Sequence, residues 1–223
     1  MPNLVTINKK QITRNNGFRL KLGFSLIELM VVVSLFGLAS SLITASYINF
    51  ERNQRIKNTA SRIKNDIRFA QNKATTGDKG PGGVDCDASS TTLGGWYFEI
   101  EAGQTSYTYG GDCVISASEI SFGQLTVDLP QDTTISNIYY GSVSSVDYPI
   151  AIFFRPLTQG VTFHDARVAL GATPDFFNSS GALINTITPA PSSPVYIEVS
   201  NLSGTTTKLI KIDLNGGISE EDP

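Results

Sequence analysis

The chain is short of the groups that carry most chemistry. It has one histidine, His164, two cysteines and no phosphate-binding glycine loop in 223 residues. A histidine-based triad would therefore have to be built around His164, which stands beside Asp165 with no serine partner in evidence. A lone loop histidine of this kind is expected at the solvent surface. Neither cysteine sits in a C-x-x-C, which argues against zinc and thiol redox catalysis. No internal repeat is present. Basic residues are scarce late in the chain: beyond Lys79 only Arg155, Arg167, Lys208 and Lys211 stand against sixteen acids, a net of −12. Such a region repels nucleic acid. No enzyme, cofactor or metal is expected.

What is present is concentrated at the N-terminus. Met1–Gly23 carries Lys9, Lys10, Arg14, Arg19 and Lys21 and no acid. The positive-inside tendency keeps such a segment cytoplasmic. About twenty apolar residues follow, Phe24 to Ile43, interrupted by Glu28. A carboxylate at bilayer depth is costly and usually functional. If the chain were cut between Gly23 and Phe24, the new amine would lie one helical turn from Glu28, on nearly the same face. Glu28 would then pair with that amine or with the amine of a staggered neighbour.

Two plainer readings compete. A secretory signal would use Ala39-Ser40-Ser41 or Thr44-Ala45-Ser46 as its cleavage site, but the apolar run is long for an h-region and Glu28 would spoil it. An ordinary single-pass anchor would leave the acid unexplained.

Gly23, Phe24, Glu28 and the run Leu26-Ile27-Glu28-Leu29-Met30-Val31 resemble the cleavage and assembly motif of type IV pilins and type II secretion pseudopilins. The resemblance covers Lys21 to about Ala45. It implies that a prepilin peptidase cuts after Gly23 and methylates the Phe24 amine. It further implies that Glu28 serves assembly, and that the partners are other pilin or pseudopilin subunits and the cytoplasmic (inner) membrane. The distal domain would lie outside the cytoplasm. The leader is longer than the shortest in that family, as an over-called start codon would make it.

From Phe24 to about Ala74 there is no proline and one glycine, Gly37, so a single long helix is expected. Gly37 is either a bend point or a plain packing glycine. Ile56, Ala60, Ile63, Ile67, Ala70 and Ala74 recur at 4-3-4-3-4 spacing, one apolar stripe along a helix. Arg52, Arg55, Lys57, Arg62, Lys64 and Arg68 mostly occupy its other faces. Gly77-Asp78-Lys79-Gly80-Pro81 ends the helix.

Strand-like segments follow at Trp96–Ile100, Ser106–Tyr109, Ile120–Leu129, Thr134–Tyr140, Ile150–Phe154, Val195–Val199 and Lys208–Leu214. Asn201–Thr206 reads as a hairpin turn, and Ile187–Pro194 as a stiff extended connector. A short turn is expected near Pro174–Asn178. The fold class is α+β and pilin-like: a long N-terminal helix packed on an antiparallel β-sheet domain. The expected division is leader 1–23, membrane or filament-core helix 24–48, amphipathic helix 49–76 and β domain 77–223.

The distal half resembles, more loosely, the minor pseudopilins of GspH/FimT type. The matching stretches are Ala70-Gln71-Asn72-Lys73-Ala74, Gly95-Trp96-Tyr97-Phe98, Ile152-Phe153-Phe154-Arg155-Pro156 with Gly160, and the closing hairpin to Asn215-Gly216-Gly217-Ile218.

Cys86 and Cys113, a matched pair in an exported domain, suggest a disulfide; two free thiols are the alternative. Asp85, Asp87 and Asp112 flank them and would suit Ca²⁺ if they converged, although solvated loop acids are the plainer reading. Asn178-Ser179-Ser180 and Asn201-Leu202-Ser203 fit a glycan acceptor pattern. Two functions remain: a structural filament subunit, or a filament-borne binding module for DNA or a surface. The basic helix face is the only candidate for nucleic acid, which is otherwise an unexpected partner.

Overall fold

The computed structural model describes residues 23, 25–80, 86, 91–115, 118–141, 146–157, 160–167, 175–178, 182–187 and 191–223. Helix α1 spans Leu26–Thr76, 51 residues, and passes unbroken through Gly37. A Cβ on Gly37 would touch nothing within 4 Å, so among the described residues the glycine makes room for no packed neighbour. By contacts the chain divides between Ser46 and Tyr47 into two units.

In the second unit the last turns of α1 carry the expected stripe. Ile56, Ala60, Ile63, Ile67, Ala70 and Ala74 are all buried. Among the described residues nine antiparallel strands follow: β1 Thr91–Ile100, β2 Ser106–Ile115, β3 Ser118–Asp128, β4 Thr133–Tyr140, β5 Ile150–Phe154, β6 Val161–Asp165, β7 Val195–Asn201, β8 Thr207–Ile212 and β9 Ile218–Glu221. They form two sheets, ordered β3-β2-β1-β5-β6 and β4-β7-β8-β9. The stripe of α1 shares one core with both sheets, through Trp96, Phe98 and Ile152 of the first and Ile138, Ile197 and Ile210 of the second. Period-two alternation along β1 and β5 sends Tyr97 and Phe153 to the other side. There they form a second cluster with Ala151, Ala166 and Phe176.

Strands β6 and β9 carry weak sequence signals: Val161-Thr162-Phe163-His164 alternates over only four residues, and Ile218-Ser219-Glu220-Glu221 is short and acidic. Each is held by what it meets. β6 pairs with β5, and β9 pairs with β8 and is fixed to α1 by a bond from Arg68 to the Ile218 carbonyl and by Ser61 and Lys64 on Glu220.

Candidate functional site

The first turn of α1 is locally determined. The Glu28 amide donates to Ser25 Oγ at 3.3 Å and the Leu29 amide to the Ser25 carbonyl at 3.1 Å. Ser25 is thus the N-cap and Glu28 the third helical residue, the Ser-x-x-Glu spacing of a capping box. The helix dipole also favours a carboxylate here. That pattern was present in Ser25-Leu26-Ile27-Glu28 and was passed over in the sequence reading, which weighed Glu28 only as a membrane acid. Gly23 and Glu28 are exposed. Phe24 and residues 1–22 lie outside the described residues.

Along the rest of this unit the described large apolar side chains are exposed. Leu26, Ile27 and Phe36 are each at least 70% exposed. The hydroxyls turn inward instead: Ser34 donates to the Val31 carbonyl, Ser41 to Leu38 and Thr44 to Ser40, each at 2.8 Å. Such a surface satisfies its own polar groups and offers only hydrocarbon, as lipid or an apolar partner requires. The helix is long and apolar enough to cross a membrane.

The basic face of the second half is largely engaged within the domain. Arg52 lies 4.0 Å from Asp132, and Arg55 bonds Glu51 and the Gln131 carbonyl. Lys64 binds Glu220, Arg68 the Ile218 carbonyl, and Lys73 Asp78 at 2.5 Å. The Lys73 ammonium holds the Asp78 carboxyl below the usual range. Asp66 accepts from the Tyr107 hydroxyl at 2.5 Å, and burial together with that acid raises the phenol.

Cys86 and Cys113 are bonded, with Cα atoms 5.6 Å apart, and both sulfurs sit in the core under α1. Asp112 precedes Cys113 on β2, so its side chain points to the opposite side of the sheet. It therefore does not join the cysteine side, and Asp85 and Asp87 lie outside the described residues. No group of three metal-ligating side chains occurs among the described residues. Asp112 is wholly buried, and among the described residues neither carboxylate oxygen has a hydrogen-bond partner. Burial first, then the charges of Glu119 and Asp175, push its carboxyl up to about 8. Glu119 accepts from the amides of Phe176, at 2.8 Å, and Phe177.

His164 corrects the expectation of a surface loop histidine. It lies on β6 and is wholly buried. Its Nδ1 meets the Ile184 carbonyl at 2.7 Å and its Nε2 the Thr162 hydroxyl at 2.9 Å. Rings of Phe153 and Phe176 pack edge-on against it. Burial lowers its pKa, and no reacting group faces it among the described residues. The glycan pattern at Asn201 also fails. Asn201 is 2% exposed, and its carboxamide organises the hairpin turn, accepting from the Thr205 and Thr206 amides. Asn178 is exposed, and its Oδ1 accepts from the Ala182 amide.

A family model described as the prokaryotic N-terminal methylation motif matches residues 19–44. No curated protein and no solved structure matches the chain. Residues 19–44 thus carry the type IV pilin and pseudopilin signal at the head of an α+β, pilin-like arrangement.

Proposed function

We propose that the chain is a prepilin, cut between Gly23 and Phe24, methylated on the new Phe24 amine, and assembled through its N-terminal helix as a minor subunit of a type IV pilus or type II secretion pseudopilus. The observation that carries this is the methylation motif lying on an apolar helix that its own chain leaves bare. Glu28 enters no ion pair among the described residues. The freed amine, its own or a neighbour's, is the partner that removes this charge from lipid. Before assembly the protein sits as a single-pass protein of the cytoplasmic (inner) membrane, with the β domain outside the cytoplasm. Kinship with the GspH/FimT-type minor pseudopilins is supported by Trp96-Tyr97-Phe98 on the first strand and by the closing β7–β8 hairpin.

Intact-mass measurement of the membrane-extracted protein tests the proposal. The expected mass begins at Phe24 and includes one added methyl group; an N-terminus at Ala45 or Ser46 would sink it. The alternative, a filament-borne module for nucleic acid, has less support. Arg52, Arg55, Lys64, Arg68 and Lys73 are bound to the domain's own acceptors.

A further inference from the structure

An open strand edge is a template for another chain, and folded proteins normally cover or blunt it. The two sheets have four edge strands: β3, β6, β4 and β9. Three are covered. Along β6, the Asp165 amide bonds the Asn185 carbonyl at 2.8 Å and the Ile187 amide bonds the Phe163 carbonyl at 3.0 Å. Along β4, Ile135 exchanges bonds with Gly103 and Gln104, and Ile138 accepts from Val146. β9 is held by α1 through Arg68 on the Ile218 carbonyl and Lys64 on Glu220.

β3 differs. It pairs with β2 on one side, and among the described residues no backbone bond reaches its other side. It is 11 residues long, has no proline, and carries no charge between Glu119 and Asp128. Gln124, Leu125, Thr126 and Asp128 are exposed. Its one irregularity, centred on Gly123 with φ of 58°, leaves the stretch from Gln124 extended.

A cleft of about 650 Å³ opens beside this edge, lined by Phe69, Lys73, Trp96, Tyr109, Gln124 and Leu125. Phe69 is 42% and Leu125 50% exposed, unusual for large apolar groups facing one hollow. The Lys73 ammonium stands 5.3 Å from the Phe69 ring and 5.8 Å from Trp96, at the rim. An unpaired edge supplies main-chain bonds and an adjoining pocket supplies side-chain selection, the two parts of strand-addition recognition.

We propose that the outer edge of β3 receives an extended strand from a different protein, cationic at its ends and uncharged between, with one aromatic or aliphatic side chain lodged in the Phe69–Leu125 cleft. The charge pattern selects this occupant. Asp128 stands exposed at one end of the uncharged middle of β3, Glu119 lies half-buried at the other under the Phe176 and Phe177 amides, and residues beyond Lys79 are strongly acidic. A second copy of this chain fits poorly, because it would set one strongly acidic domain against another.

The test uses the full chain in detergent micelles and the synthetic peptide Lys-Thr-Val-Thr-Phe-Thr-Val-Thr-Lys. The expected result is saturable binding that slows hydrogen exchange at the amides of 122–128 and leaves β6 and β4 unchanged. Replacing both lysines of the peptide by glutamate should weaken binding at least tenfold, as should methylating its backbone nitrogens. L125D should do the same while the exchange pattern of the other strands is kept, which separates a lost contact from a lost fold. Absence of protection along β3, equal binding of the methylated peptide, or β3 amides protected in the free protein by self-association would each overturn the proposal.

Discussion

Asp112 is a buried acid with no donor, bordered by two more acids, and its consequence is a pH dependence with a definite sign. Its carboxyl is pushed up to about 8, so the folded protein keeps a proton that the unfolded chain releases above about pH 4. Stability therefore falls as pH rises to about 8, by at most about 1.4 kcal/mol per pH unit. His164 acts in the other direction. Burial lowers its pKa, so the unfolded chain takes up a proton below about pH 6.5 that the folded chain refuses, and stability falls towards acid. The two oppose each other below about pH 6.5 and Asp112 acts alone above it. Thermal unfolding should show a midpoint that falls from about pH 6.5 to about pH 8 in the parent and stays level in D112N. A parallel fall in both would place the titrating group elsewhere.

Ile63 and Lys64 are neighbours in sequence with different burdens. Ile63 is wholly buried between α1 and the sheets; cutting it to alanine should cost about 2–5 kcal/mol. Lys64 bonds Glu220 with both side chains about one-fifth exposed, and a partly solvated pair is worth up to about 1 kcal/mol. Denaturant unfolding of I63A and K64A should rank them in that order. Equal losses would place the stripe on another subunit instead of on this domain.

Each part of α1 answers to a different environment. The part before Tyr47 has no chain of its own to cover it, so a change there should act on assembly. E28A should leave the unfolding of the β domain unmoved and lower the amount of the chain found in filaments. Normal incorporation would leave Glu28 with the capping role that Ser25 implies. The Cys86–Cys113 link ties the segment after α1 to β2 across a sequence separation of 27. Closing a loop of that size restricts the unfolded chain by roughly 3 kcal/mol in the chain-entropy view. C86S/C113S should lose about that much, and the exported parent should show no alkylatable thiol before reduction. An unchanged midpoint would mean that the link constrains little in the unfolded state.

The whole molecule distributes charge in a way that bears on partners. Residues 1–23 are basic, the second half of α1 is basic, and the chain beyond Lys79 is acidic. Because the helix cations meet the acids of their own domain, the outward field is mainly that of the acids. Purified protein should therefore leave the electrophoretic mobility of duplex DNA unchanged at physiological salt. A retarded band that disappears in R62A would restore the nucleic-acid reading.

Much of the molecule was determined by local pattern. The apolar run with one acid, the methylation signal and the 4-3-4-3-4 stripe depend on short-range spacing, and burial of every stripe residue from Ile56 to Ala74 follows that spacing. Strands with strong alternation, such as Tyr196-Ile197-Glu198-Val199, were legible for the same reason. Other features depend on what a residue meets from far away, and no local pattern encodes that. His164 is buried because Phe153, Phe176 and the Ile184 carbonyl close over it. Asp112 is stranded because alternation turns it away from Cys113 and under Phe177, toward Glu119. β6 and β9 exist because a neighbouring strand offers them bonds, and the division into two sheets around one helix follows from long-range pairing. Local pattern carries the long apolar helix, its methylation signal and the stripe that packs, because periodicity along one chain is a local property. Which acid and which histidine lost their water, and which strand edge is unpaired among the described residues, rest on long-range contacts, because burial and edge pairing are relations between segments distant in the chain.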